Sequence, residues 1–259
     1  MSKKQSNATK QANAQRAAER AAAIRKEQEA KERRRRVLVV SAAVIGVLAL
    51  IVAIAVAVQS SRDTTGEAAT PPAGAVDRYA LPMGDTTAPV TVTVYEDFMC
   101  PYCGLFEDAS RDVLKEYATA GDVQVRYHVV SFLDGQSSTD YSTRAANALA
   151  VVLDQAGPEV AVKFHDSLFE NQPSEGGSGL SDEQLIDLAV QAGADRKAVT
   201  GPIESLAFEQ WVVNSTGEWS DRGFTGTPTV TVAGEEIEFE SVEDLLTNMT
   251  AAIESALTE

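Results

Sequence analysis

Cys100-Pro101-Tyr102-Cys103 is the stretch of this 259-residue chain whose residue types and spacing point most directly to covalent chemistry, and the two cysteines are the only ones present. Three residues apart on a first helical turn, two sulfurs lie on one face. The separation suits the roughly 5–6 Å Cα distance a disulfide needs. Such a pair can cycle between dithiol and disulfide without moving the backbone. A cysteine at a helix N-terminus meets free N–H groups and the positive end of the helix dipole, which stabilise a thiolate. Cys100 is therefore the expected nucleophile. Cys103, one turn in, is the natural resolving thiol, attacking a mixed disulfide that Cys100 forms with another molecule. Pro101 supplies a helical φ where a backbone N–H would be orphaned anyway.

Blander readings of the pair are a structural disulfide, half of a zinc site, or two ordinary thiols. Zinc needs two more ligands, and the only histidines, His128 and His165, stand on a strand-like and a helix-like segment with no ligand spacing between them. Both are expected to be satisfied or exposed structural residues, and no metal is expected. A disulfide closing so short a loop adds little entropic stabilisation, because that gain grows with loop length. Upstream, Glu96 and Asp97 end a strand-like run. By alternation one of them should point inward, with Glu96 favoured. Phe98 and Tyr102 flank the thiols and are candidates for an apolar contact surface for unfolded protein substrates. Trp211 and Trp219, eight apart, are expected in the core of a helical region.

Those residues need elements to hold them. Pro89 to Glu96 alternates β-branched and polar residues and reads as a strand. Cys100 to Ala120 has helical spacing, with Leu105, Phe106, Val113, Leu114 and Tyr117 apolar and Gly121 as the stop. Val123 to Phe132 is a second strand. A strand, a helix and a strand in that order predict a βαβ unit with a parallel pair. Helical character follows over Ser142–Ala156, Pro158–Glu170, Ser181–Ala192 and Ile203–Asp221, with a capping box at Ser181 and Gln184. Thr229–Val232 and Glu236–Phe239 form a hairpin around Ala233-Gly234. Ser241–Leu257 closes as a helix.

Charge divides the chain sharply. The whole carries 22 Lys+Arg against 38 Asp+Glu, yet residues 1–36 hold 12 basic and 4 acidic side chains, a balance of +8 that leaves −24 for the rest. Between head and body, Val37 to Val58 has no charge at all. As a helix it would cover about 33 Å, close to the ~30 Å hydrocarbon core of a bilayer. Arg33 to Arg36 abut it on one side only, so the positive-inside rule puts the N-terminus in the cytoplasm and the acidic body outside. The expected organisation is a basic cytoplasmic head (1–36), a single transmembrane helix (37–58) and a Ser/Thr/Pro-rich flexible linker (59–77). A folded domain follows over 78–259, with a helical insertion over about 138–222. An acidic body argues against nucleic acid as its partner.

VTVTVYEDFMCPYCGLFE, followed after the helical stretch by Gly226-Thr227-Pro228-Thr229-Val230, resembles the DsbA-type thiol:disulfide oxidoreductases. It is most similar to their membrane-anchored extracytoplasmic bacterial members. The resemblance covers roughly Leu81 to Leu257. It implies an α/β, thioredoxin-like fold with an inserted helical subdomain, here preceded by a single N-terminal transmembrane helix. It further implies that Thr227-Pro228 is a cis peptide facing the thiols, where the backbone of the residue before the proline pairs with an extended substrate, and that an acidic residue on the strand beneath the pair, Glu96 here, is the proton acceptor for the resolving cysteine. Thr227 stands where the family's best-known strong oxidases carry Val, and Pro-Tyr where they carry Pro-His; both departures bear on the direction of electron flow.

The expected activity is disulfide formation in secreted or surface proteins at the cell membrane, with the catalytic domain extracytoplasmic. The Cys100–Cys103 disulfide is the only redox group required, and a membrane partner recycles it. The alternatives are a reductase or isomerase of the same fold, and a non-enzymatic binding module stapled by a structural disulfide.

Overall fold

A computed structural model of the chain describes residues 64–258. The basic head and the uncharged stretch, Val37 to Val58, lie outside the described residues. Among the described residues no helix is long and apolar enough to cross a membrane.

The alternation at Val90–Glu96 becomes the central strand, β2, of a five-stranded sheet. It is flanked by β1 (Ala80–Met83) and β3 (Val123–Val129) on one side, and by β4 (Thr229–Val232) and β5 (Glu235–Glu236) on the other, in the order β1-β3-β2-β4-β5. The β2–β3 pair is parallel, with Val92 opposite Val125, Val94 opposite Tyr127 and Glu96 opposite Val129. Side chains alternate across a strand. One face therefore collects Val90, Val92, Val94 and Glu96 with Val123, Val125, Tyr127 and Val129, every one of them buried. The other face carries Thr91, Thr93, Tyr95 and His128.

A parallel pair needs a crossover, and α1 (Pro101–Ala120) makes it. Its buried residues, Cys103, Phe106, Glu107, Ser110, Leu114 and Ala118, recur every three or four positions and form one stripe against the valine face. Full burial of Phe106 or Leu114 stabilises the fold by about 1.5–3 kcal/mol each. Gly121, at φ 81°, ends the helix in a conformation only glycine adopts without cost.

Between β3 and β4 stand five helices: α2 (Tyr141–Ala156), α3 (Pro158–Glu170), α4 (Asp182–Ala192), α5 (Arg196–Glu204) and α6 (Glu209–Asp221). From Ala145 to Leu153, α2 is buried on every side, as its nearly unbroken apolar run requires. The capping box at Ser181 and Gln184 is present. The single helix expected over Ile203–Asp221 is instead two. Leu206 adopts a positive φ of 52°, and buried Asn147 bonds both sides of the break, accepting from the Phe208 N–H at 2.8 Å and donating to the Ile203 carbonyl at 3.3 Å. Trp211 joins the main core, whereas Trp219 packs with Tyr95, Val130 and Phe224 behind the sheet. α7 (Val242–Ala256), capped by Ser241, closes the chain.

One strand lies outside the elements expected from sequence, and one expectation is corrected. β1 pairs antiparallel with β3 but is too short, and too interrupted by Pro82, to show a pattern in sequence. Residues 64–77, expected as flexible linker, are held down by side chains of the helical insertion. Asn214 accepts from the Gly66 N–H and donates to the Glu67 carbonyl, both at 2.8 Å, Gln210 donates to the Thr64 carbonyl, and Asp154 accepts from the Ala73 N–H. Polar composition signals a loop, but not the distant side chains that satisfy its backbone.

Candidate active site

At the end of β2 the chain turns inward before starting α1, and Asp97 holds that turn. One of its carboxylate oxygens accepts from the Met99 N–H at 2.8 Å and the Ser142 hydroxyl at 2.6 Å; the other accepts from the Leu133 N–H at 2.8 Å. Burial pushes its pKa up to about 7 against these three hydrogen bonds. Glu96 and Asp97 are both fully buried. The rule that only one of two neighbours points inward fails because the strand ends between them.

Cys100 is the N-cap residue of α1 and has no side-chain cap of its own; its carbonyl accepts from the Cys103 and Gly104 N–H groups at 3.0 and 3.2 Å. Its thiol donates to the Thr227 carbonyl at 3.2 Å, which places the Thr227-Pro228 loop, whose peptide bond is cis, against the first cysteine. The Cys100 pKa is lowered to about 6. The largest cause is a hydrogen bond from the Cys103 thiol; burial opposes it, and the Thr227 side chain and the Cys103 and Tyr102 N–H groups assist. The Thr227 hydroxyl is buried with no hydrogen-bond partner. Cys103 is shifted the opposite way, well above the ordinary thiol range, by burial, by the neighbouring Cys100 and by Glu96. Identical residues three apart thus become a stabilised thiolate and a proton-holding thiol.

Gln172, which nothing in the sequence singles out, braces this loop. Its side-chain amide donates to the Phe98 carbonyl at 3.2 Å and the Cys100 carbonyl at 2.9 Å. Gly104 permits the approach, since a Cβ there would meet Gln172 Oε1 at 2.3 Å.

Phe98 departs from its expected role. It is 1% exposed, packed on Phe169 with ring centroids 5.0 Å apart and on His165 at 5.7 Å, so it is core and no substrate contact. The apolar surface beside the thiols is instead Tyr102, 64% exposed, with Leu105, 57% exposed, one turn along. Pro101 is also exposed.

Beneath the thiols lies a buried acid–base cluster. His165 donates through Nε2 to Glu96 Oε1 at 2.5 Å, both side chains wholly inaccessible, and its other nitrogen is 3.5 Å from Asp166 Oδ1. Its ring lies 4.1 Å from the Tyr127 ring. Glu107, on α1, brings a carboxylate within 4.8 Å of both Glu96 and His165, and neither of its oxygens has a hydrogen-bond partner. Burial and then the charge of Glu96 push the Glu107 pKa up to about 8, so it is a neutral acid at pH 7. Burial disfavours the charged imidazole of His165, but Glu96, Asp166 and Glu107 outweigh it and hold its pKa up. These three are close enough to share an ion, yet the Glu96–His165 hydrogen bond already occupies one atom from each partner. The arrangement is that of a pair satisfied by a proton. His165 sits with Ala161, Phe164 and Leu168 on the buried stripe of α3, and that stripe is the only sequence signal of its burial. His128 is separate, bonded to the Ser215 carbonyl at 3.2 Å on the far side of the sheet.

A strand ending at a buried acid, a helix opening on a CxxC pair and a loop closing over the first thiol define a class. The family model described as thioredoxin matches residues 77–251, and the chain belongs to that family, within which it is of the DsbA type. Among solved structures, it is similar to the reduced disulfide bond oxidoreductase DsbG of Mycobacterium tuberculosis (TM-score 0.58, 30% identity, covering 69% of this chain and 92% of that one). It is similar also to reduced DsbA of the same organism (TM-score 0.57, 29% identity, 69% and 98%). Of curated proteins, Disulfide bond formation protein D of Bacillus subtilis is 32% identical over 108 residues, 41% of this chain and 46% of that protein. The serine/threonine-protein kinase PknE of Mycobacterium tuberculosis is 34% identical over 122 residues. The chain spans only 22% of PknE's length.

Proposed function

We propose that the protein is a membrane-tethered thiol:disulfide oxidoreductase that forms disulfides in secreted or surface proteins. The observation that carries this reading is the opposed acidity of the two thiols: Cys100 held as a thiolate at about pH 6 and above, Cys103 held protonated. Stabilising the dithiol form through its thiolate makes the corresponding disulfide more oxidising than a pair of ordinary thiols would be.

In the oxidising direction a client thiolate attacks Cys100 Sγ. The Cys100–Cys103 bond breaks, its electron pair leaves on Cys103, and Cys103 takes up a proton. A second client thiolate then attacks the client sulfur of the mixed disulfide, and Cys100 departs as the stabilised thiolate. The client is oxidised and the protein reduced by two electrons. The Cys100–Cys103 disulfide is the redox group and no other cofactor is required. Tyr102 and Leu105 supply apolar contact to an unfolded client, and Thr227, before Pro228, offers backbone beside Cys100.

Val37 to Val58 anchors the chain, with the basic head in the cytoplasm and the catalytic domain outside. There a membrane redox partner restores the disulfide. The charge division and the length of the uncharged stretch support that topology, and nucleic acid has no part in it.

The reduction potential of the full chain tests the direction. A value near about −120 mV supports the oxidase, whereas one near about −270 mV makes the protein a reductase. A Cys103→Ala variant should accumulate mixed disulfides with clients through Cys100. An empty trap, together with a disulfide inert to glutathione, would leave the fold as a binding module.

A further inference from the structure

Among the described residues four large apolar side chains stay exposed, Tyr102, Leu105, Phe132 and Phe239. All four stand at the thiol end of the sheet. Tyr102 and Leu105 lie in the first two turns of α1, and Phe132 precedes Leu133, whose N–H reaches Asp97. Phe239 is placed there by strand direction. β4 starts at the thiol end, with Thr229 opposite Tyr95, and β5 returns antiparallel to it, with Glu235 opposite Val232 and Glu236 opposite Thr231. The Ile237 N–H donates to the Val230 carbonyl at 2.9 Å, so the chain climbs toward Pro228 as it passes through Glu238, Phe239 and Glu240. α7 starts at that end and descends. Near its far end stands Glu254, whose charge, after burial, raises the pKa of Tyr117 in the last turn of α1.

Carboxylates frame this apolar end. Asp108 follows Leu105 by one turn, Glu238 and Glu240 flank Phe239, and Glu243 opens α7; all four are exposed, and none has an ion-pair partner among the described residues. No lysine balances them. Of the three in the described residues, Lys115 and Lys163 line a groove with Met83 and Gly84 at the opposite end of α1, and Lys197 stands at the start of α5. Arg222, on the approach to Thr227, is taken up by Glu218 at 2.6 Å. Charges on an edge strand also guard against stray strand pairing, but either sign does that. Here a single sign surrounds apolar side chains left bare, beside a sulfur that must meet another chain.

Resting on the disulfide-exchange reading above, we propose that this acidic, apolar rim selects the clients: it takes extended segments in which Lys or Arg flanks the reacting cysteine. Such a segment lies beside the Thr227 backbone, with its apolar residues on Tyr102, Leu105 and Phe239 and its cations against Glu238, Glu240 and Glu243. Exchange itself is unchanged, the client giving two electrons to the Cys100–Cys103 bond and becoming a disulfide. A neighbouring cation keeps the client cysteine ionised, which offsets the resistance that the rim carboxylates offer to an approaching thiolate. A segment carrying Asp or Glu is repelled at both steps.

The test uses three peptides, each with two cysteines in the same neutral frame and with the flanking positions set to Lys, Gln or Glu. Each is mixed with the oxidised full-length protein at pH 7 in dilute salt, acid-quenched and read by mass spectrometry. Dividing each rate by that peptide's rate with hydroxyethyl disulfide, which is neutral, removes differences in thiol acidity. The Lys peptide should then be oxidised at least about tenfold faster than the Glu peptide, with Gln between them. That ratio should collapse toward one in about 1 M salt, where charges are screened beyond about 3 Å. Glu238→Gln and Glu240→Gln together should cut it at least about threefold. Glu254→Gln, which removes the same charge from the far end of α7, should leave it as it was. Equal normalised rates for the three peptides, or a faster Glu peptide, overturn the selection. So does a ratio that Glu254→Gln lowers as much as the rim variant, which would make it a matter of net charge alone. If no peptide is oxidised at all, the exchange reading itself fails and takes the selection with it.

Discussion

The acidity of Cys100 is the property on which the chemistry turns, and it can be measured directly. With a pKa of about 6, roughly nine-tenths of Cys100 is thiolate at pH 7, against about 3% for an ordinary thiol near 8.5. That is about a thirtyfold gain in nucleophile. Intrinsic nucleophilicity falls with basicity by a Brønsted slope of about 0.4–0.5, and over this span it gives back roughly tenfold. The alkylation rate at pH 7 is therefore a poor test; its midpoint is a good one. Iodoacetamide alkylation of the reduced protein, followed from pH 4 to 10, should give a Cys100 midpoint near 6. Cys103→Ala removes the largest cause and should move that midpoint upward. Thr227→Val, which removes a hydroxyl buried beside the sulfur, should move it less. A parent midpoint at 8–9, or one unmoved in Cys103→Ala, would refute the assignment.

The same shift fixes a sign for stability. Cys100 is more acidic folded than unfolded, so its contribution is fully present above about 8.5 and lost as pH falls through about 6. The oxidised protein has no such group. The urea midpoint of the reduced form should therefore fall relative to the oxidised form between those limits. Cys103, shifted the other way, opposes this only above the ordinary thiol pKa.

Asp97→Ala removes the acceptor for two buried N–H groups and a hydroxyl, and should cost about 2–5 kcal/mol in urea unfolding at pH 5. Burial raises the Asp97 pKa to about 7, so ionising this carboxyl erodes stability between about pH 4 and 7; Asp97→Ala should flatten that part of the profile. Gly104→Ala forces Gln172 Oε1 aside, but that is the end of a flexible chain, so the loss should stay near about 1 kcal/mol. A loss of several kcal/mol would mean the helix itself had moved. Ala233 sits at φ 50° before Gly234 at φ 92° in the β4–β5 turn. Ala233→Asn, the preferred residue there, should therefore raise the thermal midpoint, for a gain of about 0.5–1 kcal/mol.

How much of this was legible in sequence depends on how local each cause is. The thiol pair, the helix it opens and the glycine that stops it are set by neighbours within four residues, and they stand where spacing put them. The parallel β2–β3 pair follows from element order alone. Phe98 departs from its expected place because nearness in sequence to a reactive thiol is not nearness to the surface: the turn held by Asp97 folds the ring inward. His165 was invisible as a partner because it lies 69 positions from Glu96 and meets it only when α3 packs on the sheet. The break at Ser205–Phe208 is hidden likewise, since it depends on Asn147 of α2, separated from it in the chain by three further helices.

Three buried acids stand near one thiol pair, and their surroundings give them different work. Asp97 has three donors and holds a turn. Glu107 has none, and holds a proton. Glu96 accepts a hydrogen bond from His165. Cys103, sealed against this group, can be released from a disulfide at little cost only if a proton arrives as it leaves, because a second anion beside Cys100 would be resisted by burial and by both neighbouring charges. Burial resists the Cys100 anion too, but the hydrogen bonds from the Cys103 thiol, the Thr227 side chain and the Cys103 and Tyr102 N–H groups outweigh it. The reduced protein is thus expected to carry one negative charge on its thiol pair, at Cys100, and opening the disulfide should take up one proton between about pH 6 and the much higher pKa of Cys103. A reduction potential falling by about 30 mV per pH unit in that range, the value for one proton per two electrons, would bear this out. A slope near 60 mV would mean that both thiols are protonated, and would remove the basis for reading the pair as an oxidant.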